Sequence, residues 1–133
     1  MKIIKIIAII SSSIFLTSCD PIHEIVFENT GKKDAKVKLI IDKKNYYLNQ
    51  ISVGDSIVFN LKPVGKIDSN ANIYFGIGSW DETEISELTK SIKSIEIDNI
   101  DKKVIYKSEN SIKEFLIDNQ KGFLNTQIKI ETK

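Results

Sequence analysis

The sequence predicts a mainly β protein: one antiparallel, sandwich-like domain of about eight strands with two short helices, an α+β arrangement being the alternative. Three observations predict it. Apolar residues recur at every second position along most of the chain, turn-forming residues interrupt these runs at short intervals, and only two segments show helical spacing behind a capping residue. A length of 133 residues suits one domain rather than several.

Taken in order, residues 24–28 open the strand pattern. Ala35, Val37, Leu39 and Ile41 then alternate with Lys36, Lys38, Ile40 and Asp42, which puts apolar side chains on one face and mostly charge on the other. Residues 46–51, with two tyrosines, are read as a third strand. Ile57, Phe59 and Leu61 alternate with Ser56, Val58 and Asn60, and Ala71, Ile73, Phe75 and Ile77 stand opposite Asn72 and Tyr74. Further on, Ile95 and Ile97 flank Glu96, Val104 and Tyr106 flank Ile105, and Ile128 and Ile130 flank Lys129. Asn29-Thr30-Gly31-Lys32, Lys43-Lys44-Asn45, Val53-Gly54-Asp55, Pro63-Val64-Gly65 and Asp68-Ser69-Asn70 supply the turns, because these residue types tolerate tight or left-handed backbone.

Two segments depart from this period. Asp81-Glu82-Thr83-Glu84 reads as a capping box, with Ile85, Leu88 and Ile92 at helical spacing behind it. Ser111-Ile112-Lys113-Glu114 is a second box-like start, with Ile112, Phe115 and Leu116 as its apolar stripe and Gly122 as a stop.

The N-terminus has a different character. Met1-Lys2-Ile3-Ile4-Lys5 is a short basic start, and the apolar run from Ile6 to Leu16 is interrupted only by Ser11, Ser12 and Ser13, the pattern of a secretory signal. The run falls short of the roughly 20 apolar residues a spanning helix needs. Leu16-Thr17-Ser18-Cys19 follows it, and this resembles the lipobox of bacterial lipoproteins. The resemblance covers residues 1–19. It implies a cleaved signal peptide at residues 1–18, a diacylglyceryl group on the Cys19 thiol, usually acylation of the freed amine, and a protein lipid-anchored in the cell envelope, with inner or outer membrane left open. Residues 19–23 become a short tether and residues 24–133 the β domain. Two or three acyl chains make anchoring practically permanent, where one holds only marginally. Cys19 is the only cysteine, so no disulfide forms within the chain, and lipidation accounts for an odd thiol in an exported protein.

Charge narrows the partners. The chain has 19 Lys and no Arg against 18 acids, and loss of Lys2 and Lys5 takes the formal charge from +1 to −1. Without the guanidinium fork, and close to neutral, the protein is not expected to bind nucleic acid. The lipid bilayer, through Cys19, and an envelope protein or glycan are the expected partners.

Candidate chemistry is sparse. Gly76-Ile77-Gly78-Ser79-Trp80-Asp81 follows a strand and opens a helix, as a dinucleotide fingerprint does, but Asp81 occupies the third glycine position and would repel a pyrophosphate. The competing reading is a tight strand-to-helix turn with Asp81 as cap. Trp80, the only Trp, lies near Tyr74; either the pair offers a partner contact, stacking on a sugar ring or a protein, or the indole is buried at the domain edge. Asp68, Asn70 and Asn72 have the first spacings of a calcium loop, but Ile73 replaces its glycine and Ser79 its bidentate Glu. His23, the sole His, sits on the expected tether, and no Gly-x-Ser-x-Gly elbow occurs, which disfavours a hydrolytic triad. One His and a lipidated Cys are too few for a zinc site. No catalytic residue, metal or cofactor beyond the covalent lipid is therefore expected. The expected function is a membrane-anchored, non-catalytic binding or structural module; the alternative is a small envelope hydrolase using paired carboxylates.

Overall fold

The computed structural model describes residues 21–122 and 126–132. Among them the chain forms eight strands and three helices, 47% strand against 22% helix, so the mainly β expectation holds. The strands are β1 (Ile22–Asn29), β2 (Ala35–Ile41), β3 (Ser56–Leu61), β4 (Asn70–Ile77), β5 (Ile92–Asn99), β6 (Lys102–Tyr106), β7 (Gln120–Lys121) and β8 (Gln127–Thr132). The helices are α1 (Tyr46–Ile51), α2 (Glu82–Thr89) and α3 (Glu109–Asp118).

Two four-stranded sheets result. Sheet A runs β4-β1-β8-β7 and sheet B runs β3-β2-β5-β6. Every pairing is antiparallel except β1 with β8, where Ile25 lies opposite Ile128 and Phe27 opposite Ile130. The alternation read from the sequence sets which residues face inward. Ala35, Val37, Leu39 and Ile41 of β2 are buried with Ile57 and Leu61 of β3 and Ile95 and Ile97 of β5, and they join Ile25, Phe27, Ile73, Phe75, Ile128 and Ile130 of sheet A in one core. The Phe27 and Phe59 rings meet across the two sheets at 5.7 Å. Ile85 and Leu88 of α2 and Ile112 and Leu116 of α3 extend that core.

Sequence and structure part at several places. The segment Tyr46–Ile51 is a helix, which raises the helix count from two to three. Only Leu48 of it is buried, so no strand face exists to pair, and the Asn45 side chain accepts a hydrogen bond from the Leu48 amide as an N-cap. The eighth strand is instead the two-residue β7. Helix α3 starts one turn earlier than Ser111, because Ser108 caps it by accepting from the Ser111 amide. The domain also begins before residue 24. Ile22 pairs with Ile77, the Gly78 amide donates to the Pro21 carbonyl, and His23 is 6% exposed, so Ile22 and His23 belong to β1 rather than to a tether. Asp81 caps α2 as the sequence suggests, accepting from the Glu84 amide at 2.7 Å.

The turns carry one buried polar anchor. Asn29 is 1% exposed; its Nδ2 donates to the carbonyls of Lys33 and Leu61, and its Oδ1 accepts from the Gly31 amide. This side chain ties the β1–β2 turn to the end of β3.

Candidate functional site

A cavity of about 390 Å³ opens at the end of the sandwich where β1 begins and β4 ends. Strand period places its inner wall: His23 shares the core face of β1 with Ile25 and Phe27, and Phe75 shares that of β4 with Ile73. After β4 the chain turns at Gly78 and Ser79 and brings Trp80 inward, 3% exposed. Gly78 has a φ of +155°, a backbone conformation that L side chains rarely adopt, and its Cα packs beside the His23 imidazole, so the conformation rather than a lack of space favours glycine at this turn. This accounts for the glycine-rich stretch without a nucleotide.

Trp80 is locked on both sides. Its indole N–H donates to the Glu24 carbonyl at 3.0 Å, and its own carbonyl accepts from Gln120 Nε2 at 2.8 Å. Rings pack around it: His23 at 3.9 Å between centroids, Phe75 edge-on at 5.0 Å, and Tyr47 of α1 against Phe75 at 5.5 Å. Helix α2 supplies Thr83, Glu84, Glu87 and Leu88, and α1 with its cap supplies Tyr47 and Asn45.

The electrostatics are one-sided. No Lys is among the residues lining the cavity, whereas Glu84 and Glu87 both are. Glu87 is ion-paired with Lys90 at 2.6 Å, while Glu84, with a half-exposed side chain, has its Oε2 3.6 Å from His23 Nε2. Burial holds the His23 pKa below its ordinary value of 6.5, against the weaker pull of the Glu84 and Asp81 carboxylates, so the imidazole is neutral at pH 7. Its Nε2 is buried without a hydrogen-bond partner. Among the described residues, no three His, Cys, Asp or Glu side chains converge as a metal site, and no helix is long and apolar enough to cross a membrane.

The residues singled out from the sequence fall in different places. Trp80 is 3% exposed with its N–H bonded to the Glu24 carbonyl on β1, so the indole is buried at the domain edge, and its ring lines the cavity. Tyr74 is 58% exposed and lies opposite Glu24 in the register, on the face of β4 away from Phe75, so the two candidate contact residues point to opposite sides of sheet A. Cys19 lies outside the described residues. His23, set aside in the sequence, becomes part of the cavity wall, and Tyr47, Phe75, Glu84 and Glu87 join it without having been singled out. The capping box at Asp81 already implied that Glu84, Glu87 and Leu88 share one side of a helix.

No family model, curated protein or solved structure matches the chain.

Proposed function

We propose that the protein is a lipid-anchored component of the bacterial envelope whose β domain is a non-catalytic binding module, with the cavity at the start of β1 as its binding site. The observation that carries this reading is the cavity's composition and position: aromatic walls, acceptor groups at its mouth, a buried His23 Nε2 without a partner, and Pro21 bonded to Gly78 beside it. Pro21 is two residues from Cys19, a reach of about 7 Å. A lipid on Cys19 therefore holds this end of the domain, and the cavity with it, close to the bilayer, where local concentration favours membrane-proximal ligands.

The hydrolase reading draws on Glu84 and Glu87, which line the same cavity. They stand one turn apart on a single wall, whereas paired-carboxylate hydrolysis sets its two groups on either side of the scissile bond. Binding is the better fit. A photoreactive residue at Thr83, on the cavity wall, is expected to give an adduct in cells, while one at Lys38, on the outer face of sheet B, gives none. An adduct at Lys38 with none at Thr83 would move the binding surface to the sheet.

A further inference from the structure

The cavity has a chemical preference that can be read from its atoms. We propose that it takes a primary alkyl ammonium, the group carried by a lysine side chain or a short diamine, with the charged end held by Glu84 and His23 Nε2 and the stem lying along Tyr47, Phe75 and Trp80. This rests on the reading of the cavity as a binding site and names its ligand.

Charge is the first reason. Of the two carboxylates lining the cavity Glu87 is already paired with Lys90, whereas Glu84 faces only the neutral His23, so the uncompensated charge at the site favours a cation over an anion. The second is His23. A neutral imidazole has one donor and one acceptor nitrogen. Nε2 lies 3.6 Å from Glu84 Oε2, beyond hydrogen-bond length, so the buried Nε2 has no partner while the half-exposed carboxylate beside it is free to move. With the ring proton on Nδ1, as the proposal requires, Nε2 is an acceptor; a tetrahedral ammonium donating to it and to Glu84 needs the two acceptors about 4.7 Å apart, and a swing of about 1 Å by the half-exposed Glu84 side chain provides that. A quaternary ammonium has no N–H to give, and an alcohol brings no charge. The third reason is the wall: aromatic faces suit both an alkyl stem and the cation at its end.

The only Trp and the only His both lie in the cavity wall, so indole fluorescence and the imidazole resonance are site-specific reporters without labelling. The full-length protein is titrated at constant pH and ionic strength with n-butylammonium and Nα-acetyl-lysine N-methylamide, and in parallel with n-butanol, butyrate and n-butyltrimethylammonium. Both primary ammonium probes are expected to change Trp80 emission saturably and to move the His23 signal, with the other three at least tenfold weaker. Glu84→Gln should weaken butylammonium about tenfold, since it removes one charge-assisted hydrogen bond. Glu114→Gln, on α3, should leave it unchanged, and both variants should keep the parent's melting temperature. Equal binding of butanol, butyrate or the trimethyl analogue overturns the proposal, as does the lack of a saturable response to either primary ammonium. If that failure comes with a persistent Thr83 adduct, the ligand class alone is wrong; if the adduct is lost as well, the cavity is not the binding site.

Discussion

The imidazole of His23 lies against the indole of Trp80, their centroids 3.9 Å apart and their planes inclined by 56°. This contact joins the first described strand to the loop before α2, and the indole N–H bond to the Glu24 carbonyl closes it one residue further along β1. The start of the domain and the wall of the cavity are thus one structure.

Stability should fall on acidification through this contact. The folded state holds His23 below its ordinary pKa, so between that lowered value and about 6.5 the unfolded chain takes up a proton that the native one refuses. The stabilisation is complete above about pH 6.5 and is lost as pH falls toward the folded pKa. Urea midpoints at pH 7.5 and 5.5 should differ more for the parent than for His23→Phe, which keeps a buried ring that cannot titrate. A parent midpoint that rises on acidification would mean that His23 is charged and paired with Glu84.

Trp80→Phe keeps most of the ring but leaves the buried Glu24 carbonyl without its donor. The cost should be about 1–3 kcal/mol, the range for an orphaned buried acceptor. A thermal melt followed by circular dichroism reads it as a fall of about 4–13 °C for a domain of this size. An unchanged melting temperature would show that the indole bond adds nothing.

Asn29→Asp is a sharper test than truncation, because the shape stays the same while the Nδ2 donor to Lys33 and Leu61 is replaced by an oxygen facing two carbonyls. At 1% exposure, water cannot compensate. Asn29→Asp and Asn29→Ala should each lower stability by about 2–3 kcal/mol in urea titrations. An aspartate variant as stable as the parent would remove Asn29 from the list of anchors.

How much of this was legible in the sequence depended on how local the cause was. The alternation in β2 is complete within seven residues, and the Asp81 cap within four, so both could be read directly. Tyr46–Ile51 misled because its aromatic residues favour strands, while its single buried residue, Leu48, is decided by packing elsewhere. The two-residue β7 has too few residues to show a period. The sequence puts His23 on a tether because the apolar run starts at Ile25; its place in β1 depends on Ile77 and Gly78, more than fifty residues away. The convergence of Tyr47, Glu84 and His23 has the same non-local origin. Trp80 and Asp81 were visible as a loop and a cap, but the inward turn of the indole depends on a carbonyl that no sequence pattern marks.

The most direct measurement concerns Cys19, on which the envelope location and the closeness of the cavity to lipid both depend. Cells expressing the full chain are fed an alkyne fatty acid, and the protein is isolated, coupled to a fluorophore and compared with Cys19→Ala. Strong labelling of the parent, none of the variant, and release of the variant from the membrane fraction are the expected results. Equal labelling of the two chains, or a parent that stays unlabelled, would contradict the lipid anchor and with it the proposed place of this domain at the membrane.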